Sequence, residues 1–240
     1  MSKLVWDAAG QREYEMGVSK GVLYVMPGTG ESAATGSSYK AGVAWNGLTG
    51  VTNSPEGAEP TDLWADNIKY ATLRSAETFG ATIEAYTYPD EFGVCDGSAT
   101  PLTGISGVSV NQQSRRAFAF CYRTEIGNDT NPEAGYLIHI IYNCTASPSE
   151  RAYETVNDSP DAITFSWEVK SNPVTVGGNY TSLKPTSEII IDSTKFASMP
   201  GKLTALENKL YGTDGTSGTE PTLPDPDDLL DLISSATTSA

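Results

Sequence analysis

Positive charge is scarce in this chain. Its 240 residues hold 15 Lys and Arg against 30 Asp and Glu, a net charge of −15. Gripping duplex DNA requires cations that neutralise phosphates, so that role is excluded. Histidine is nearly absent, with His139 alone, and cysteine is rare: Cys95, Cys121 and Cys144 stand far apart with no C-x-x-C pair. A zinc site needs such ligands in number and at close spacing, so none is expected. Buried free thiols in a reducing compartment are expected instead. No stretch reaches the ~18–20 apolar residues of a membrane-spanning helix, and Met1 to Asp7 lacks the apolar core of a signal peptide. The expectation is a protein kept in the cytosol, with no membrane contact. A G-x-S-x-G elbow, a phosphate loop and G-x-G-x-x-G are all missing. Asp225 to Asp228 lacks the alternating ligands and the glycine of a calcium loop. His139 sits inside the apolar run Leu137 to Ile141 and reads as a packed inter-strand residue, not a general base. Neither a cofactor nor an enzymatic activity is expected.

Strands and turns are what the chain has. Hydrophobic residues make up 38%, with 23 Gly and 14 Pro, a composition of globular β-structure. Ile163 to Lys170 alternates with period two: Ile163, Phe165, Trp167 and Val169 on one face, Thr164, Ser166, Glu168 and Lys170 on the other. Phe118, Phe120 and Tyr122 alternate with Ala117, Ala119 and Cys121 in the same way. Tyr136 to Cys144 is apolar throughout and reads as a central strand, separated from its neighbour by a hairpin loop from Glu125 to Gly135. Gly17 to Met26, Tyr39 to Trp45, Ile68 to Leu73, Thr78 to Tyr88 and Glu188 to Asp192 are further strand candidates. About eight strands without long helices between them predict a mainly β fold, an antiparallel β-sandwich or barrel. One flanking α-helix is expected near Gly201 to Gly212, with Phe196, Met199, Leu203, Leu206 and Leu210 as its apolar stripe. A short helical turn is expected around Asp62 to Asp66.

Two features exceed what a compact subunit needs. Asn46 to Trp64 is a long Gly/Pro/acid-rich loop ending in Leu63 and Trp64, and Tyr88 to Gly107 is another. The last stretch is an extended arm. Residues 213–240 carry six acids and no base, leaving 24 acids and 15 bases in residues 1–212. A Gly/Thr/Asp linker, Thr213 to Pro224, leads to the plug Asp227-Asp228-Leu229-Leu230-Asp231-Leu232-Ile233. A tail with no binding role need not keep four aliphatics there, so the plug is expected to be held out to dock on another copy. The chain divides accordingly into a domain, 1–212, and an arm, 213–240.

Several segments together resemble the major tail (tail tube) proteins of long, non-contractile-tailed phages, of the type found on Gram-positive hosts. They are Gly17 to Tyr24, Trp64-Ala65-Asp66-Asn67, Ala81 to Phe92, Leu206 to Gly215 and Pro221 to Pro226. The helix ending in Leu210-Tyr211-Gly212-Thr213-Asp214-Gly215 and the Pro-rich close are the most specific part. The chain departs from some relatives in lacking an appended immunoglobulin-like domain, and it closes on a polar Ser234 to Ala240.

The resemblance implies a virion protein, assembled in the host cytoplasm. Its subunits would form homohexameric rings that stack into a tube. A tape-measure protein would fill the tube, terminator and tail-tip proteins would close its ends, and viral DNA would pass through it without specific binding. Ring closure would consume open sheet edges. Leu63, Trp64, Leu229, Leu230, Leu232 and Ile233 are the expected inter-ring contacts, and Thr82, Glu84, Thr164, Ser166 and Glu168 the expected lumen residues. The competing readings are a β-sandwich binding module of virion decoration or receptor-binding type, and the tube protein of a contractile injection system.

Overall fold

The computed structural model describes residues 4–235 except 58, 76, 103–104, 106, 154 and 157–160. In chain order the strands are β1 (Glu13–Val25), β2 (Val43–Trp45), β3 (Leu48–Asn53), β4 (Glu56–Gly57), β5 (Pro60–Ala65), β6 (Ile68–Arg74), β7 (Glu77–Thr78), β8 (Gly80–Ala85), β9 (Phe118–Asn128), β10 (Gly135–Ala146), β11 (Phe165–Ser171) and β12 (Glu188–Asp192). The helices are α1 (Gly93–Asp96), α2 (Pro200–Tyr211) and α3 (Pro226–Ser235). The fold is mainly β, as the composition requires.

One antiparallel sheet dominates, in the order β2-β1-β9-β10-β11-β8-β3. Its two end strands are consecutive in sequence, joined by Asn46 and Gly47 alone. The sheet must therefore curl until its ends meet, which makes it barrel-like. Gly47 supplies the positive φ of that corner, 76°. The concave side encloses a core of Leu23, Val25, Trp45, Ile83, Phe118, Phe120, Ile141, Trp167 and Val169 from six strands of the curl, with Leu48 and Val51 of β3 packed against it. Trp45 anchors it, its ring 4.6 Å from that of Phe92 and 5.5 Å from that of Trp167, with Nε1 donating to the Thr87 carbonyl at 2.9 Å. Phe92 and Cys95, from the turn and helix over Asp90–Asp96, plug this core. The second expected long loop is thus partly a stopper for the barrel.

The convex side carries a second core on β1, β9 and β10. Val22, Tyr24, Ala119, Cys121, Ile138, Ile140 and Tyr142 meet Leu206 and Leu210 of α2. Of the expected stripe, Leu203, Leu206 and Leu210 lie on the sheet from α2; Phe196 packs there from the turn before the helix, Met199 caps its start, and Gly212 (φ 76°) stands past its end. Both faces of Phe118 to Tyr122 are buried, which explains why small Ala119 and Cys121 alternate with large aromatics: the helix side leaves less room.

β10 forks the sheet. On one edge it pairs β12 through Leu137 to Ile141 and then β11 through Cys144 to Ala146. The phase changes at Asn143, whose φ of 50° makes a bulge there. Ile141, Cys144 and Ala146 consequently all face the concave core despite their odd spacing.

Three local expectations are corrected. Asp62 to Asp66 is strand β5 entering a turn, not a helical turn, because Asp66 and Asn67 both take positive φ (51° and 62°) and close a two-residue hairpin. The long loop from Asn46 to Trp64 is the corner, β3, β4 and β5. The Glu125 to Gly135 loop shortens to Asp129 to Ala134, because β9 runs on to Asn128 and its partner resumes at Gly135.

Candidate assembly interface

Between β3 and β8 the chain leaves the barrel as a hairpin. β4 pairs β7 at its root, and β5 pairs β6 above, with Leu63 opposite Ala71 and Thr61 opposite Leu73. Lys170 Nζ holds the root through Glu56 at 2.9 Å, and Lys69 and Thr72 bind Asp62 at 2.8 Å each along the stem. Leu63, Trp64, Ile68, Tyr70 and Leu73 are all exposed, Trp64 at 69% and Tyr70 at 72%. A two-stranded ribbon is marginal in water without a surface to lie on, and five exposed large apolar side chains, with Leu63 and Leu73 on one face and Trp64 on the other, mark it as an interaction element. The sequence indicated Leu63 and Trp64 but not Ile68, Tyr70 and Leu73. The signal was present, since the strand pattern of Ile68 to Leu73 faces Leu63 and Trp64 across the turn dipeptide Asp66-Asn67.

The other expected contact residues lie elsewhere. Residues 227–233 are not held out: α3 packs back on its own subunit, which corrects that expectation. Leu229 is fully buried in the convex core with Leu223, and Leu232 and Ile233 pack against its margin. The lead-in is bonded down as well. The Thr222 N–H donates to the Lys209 carbonyl (2.7 Å), the Gly42 N–H to the Pro221 carbonyl (2.8 Å), the Tyr142 hydroxyl to the Pro224 carbonyl (3.2 Å) and the Ser38 hydroxyl to Asp225 (2.9 Å). Burial raises the phenol pKa of Tyr142 and of Tyr24, whose hydroxyl donates to the Leu210 carbonyl at 2.6 Å. The physical cause of the docking is plain: four aliphatics at helical spacing need a surface, and the bare convex side of β10 and α2 supplies one within reach. Residues 236–240, most of the polar close, lie outside the described residues.

Four of the five expected lumen residues come together. Across β3, β8 and β11 the outward side chains form two rows, Thr52–Thr82–Glu168 and Gly50–Glu84–Ser166. Glu84 and Glu168 are exposed there, with Lys170 beside Glu168 at 4.0 Å. This is the convex side of the same sheet, but α2 and α3 cover only its other half. Thr164 lies before β11 begins and is exposed outside the rows.

His139 packs as its apolar surroundings predict. Its ring stacks on Tyr122 at 4.5 Å and lies 3.1 Å from Thr124 Oγ1 and 3.4 Å from Glu188. The thiols are buried and free, and desolvation raises the pKa of Cys95 and Cys121 to about 12 each. Arg115 donates to the Ala146 and Asp96 carbonyls, and Arg116 pairs with Glu31 at 2.7 Å, so both are committed within the fold. Among the described residues no group of three or more His, Cys, Asp and Glu is placed to hold a metal, and no helix is long and apolar enough to cross a membrane.

No protein-family model and no curated protein matches the chain. Solved structures overlap it weakly. A chain of the anti-feeding prophage baseplate, seen by cryo-electron microscopy with sixfold symmetrisation, is 9% identical at a TM-score of 0.32, over 80% of this chain and 97% of that one. A chain of the PVC sheath–tube complex, an extracellular contractile injection system in its extended state, is 10% identical at a TM-score of 0.27, over 72% and 88%. Scores this low carry over neither a fold nor a role.

Proposed function

We propose that this chain is a structural subunit that assembles with copies of itself into stacked rings, forming the tube of a phage-like tail through which DNA passes. The observation that carries the reading is the hairpin from β5 to β6. It offers five large apolar side chains that its own subunit leaves uncovered. Ring-to-ring contact is assigned to Leu63 and Trp64 with Ile68, Tyr70 and Leu73, and not to Leu229. Two further features support the reading. Among the described residues β12 pairs with β10 alone, and Ile190 on it is 52% exposed; an edge of this kind is completed by a neighbour in a closed ring. The rows on β3, β8 and β11 carry Glu84 and Glu168 with one cation beside them, Lys170, which is paired to Glu56 and Glu168; they suit a channel wall that holds phosphates weakly. Rings of six, the tape-measure, terminator and tip partners, and location in a virion tail follow from the resemblance of sequence.

A binding module is the second reading, and one observation favours it: Trp64 and Tyr70 are displayed on the hairpin as a recognition surface would display them. Sedimentation velocity across a wide concentration range separates the two. A tube subunit grows into large assemblies without a fixed end point. A single small oligomer at every concentration would refute the tube and leave the module.

A further inference from the structure

We propose that the half-open cavity beside Lys20 and Tyr211 is the socket that receives the apolar hairpin of a second copy of this chain; the inference rests on the self-assembly reading. The cavity encloses about 500 Å³. Gly21, Gly42 and Ala44 form its floor, where β2 pairs β1, and Leu210, Tyr211 and Pro221 form its wall. The floor is low for a packing reason. A Cβ on Gly42 would stand 2.6 Å from the Tyr24 ring, and one on Gly21 would stand 2.5 Å from Leu48. The Gly21 contact lies on the concave side, with Leu48 and Trp45; at Gly42 the clash is with Tyr24 and Val22 of the convex core, so no larger residue fits there and a depression persists beside the end of α2. An aromatic side chain buries ~150–250 Å², and a cavity of this size takes one with room for a neighbour.

The subunit cannot fill its own socket. The socket adjoins the Leu48 end of β3, and the hairpin departs from the Asn53 end. Six residues of strand put about 20 Å between the two ends, and the hairpin stem starts beyond that. Knob and socket on opposite ends of one subunit make a heterologous contact. Each copy gives one hairpin and takes one, and the series continues without saturating. Charge agrees with this pairing. The mouth of the socket carries Lys20, its Nζ 5.6 Å from the centre of the Tyr211 ring, in a chain with few cations, and the hairpin turn carries Asp66. An exposed indole placed between Lys20 and Tyr211 gains a cation–π contact together with apolar burial.

The test uses the full chain with single cysteines added, the three native thiols being buried. A chain with Ala44→Cys is mixed with a chain carrying Trp64→Cys, and separately with one carrying Ile68→Cys, and each mixture is oxidised. A covalent pair joining one chain of each kind, in either mixture, is the expected result. Ala44→Phe, on an exposed strand position, fills the socket and is expected to raise the concentration needed for assembly about thirtyfold, the loss typical of a central aromatic anchor, while the melting temperature of the dispersed subunit stays unchanged. Assembly that proceeds normally in Ala44→Phe, with no cross-link in either mixture, overturns the socket and leaves self-assembly standing. Wild-type chain that stays a single subunit at every concentration overturns both.

Discussion

Replacing Leu229 by Ala tests whether the last helix belongs to the body of the subunit. Leu229 has no exposed surface and lies among Tyr142, Leu206, Leu210 and Leu223. Removing a buried Leu side chain costs about 2–5 kcal/mol, the spread reflecting how far neighbours collapse into the gap. α3 is a surface layer and can shift, so a value near the middle, about 3 kcal/mol, is expected. For a domain of this size that lowers the melting temperature by roughly 6–12 °C. The assay is urea unfolding of the dispersed subunit, read as a shift in midpoint with unchanged slope. Leu230→Ala is the control. Its side chain is only half-buried, outside the buried cluster, and its loss should stay below about 1 kcal/mol. If Leu229→Ala changes stability by less than about 0.5 kcal/mol, the helix does not rest on the sheet in solution. The terminal segment would then be free for an exchange between subunits that the docked arrangement denies it.

Three other outcomes follow from the structure. Converting Trp64, Ile68 and Tyr70 to Ser abolishes large assemblies in sedimentation while leaving the melting temperature within about 2 °C, because those side chains are exposed in the subunit; an equal loss of stability and assembly would mean the hairpin is part of the fold. Glu84→Lys with Glu168→Lys places four more positive charge units per subunit on the bare rows, by about two for each substitution, and should retain DNA in the particle and slow its release; unchanged release kinetics would take these residues out of the channel. The native thiols should resist a thiol reagent at pH 8 until the chain unfolds, since burial holds Cys95 and Cys121 protonated. Their folded pKa lies above the unfolded one, so the folded state binds the extra proton. Stability is therefore complete below the ordinary thiol range and falls as pH rises through and above about 9; constant stability from pH 8 to 11 would contradict the burial.

How much of this was legible in the sequence depended on whether the signal was local. Ile163 to Lys170 announces its strand because one face is wet and the other dry, and β11 with Trp167 and Val169 inward is the result. The stripe of α2 was readable for the same reason. The corner at Asn46-Gly47 was not, because a two-residue link that closes a sheet and one that opens a loop use the same residues. The hairpin was half legible. Its second strand showed, but Pro60, Asp62 and the exposed pattern of β5 disguised the first. Leu229 to Ile233 declared a need for cover, and nothing local says whether the cover comes from the same chain or another. Only the convex surface of α2, about 20 positions away, and of β10, about 90 positions away, answers that. The candidate lumen rows depend on register between β3, β8 and β11, yet Glu84 and Glu168 were found by alternation alone, since outward residues on adjacent strands fall into register.

Electron cryomicroscopy of the purified full chain at high concentration tests the central claim most directly. The account predicts hollow tubes of stacked rings, with the hairpin of one ring seated on the next and Thr82, Glu84, Ser166 and Glu168 facing the channel. Fields of separate subunits at every concentration, or closed particles whose hairpins point into solvent, would contradict it.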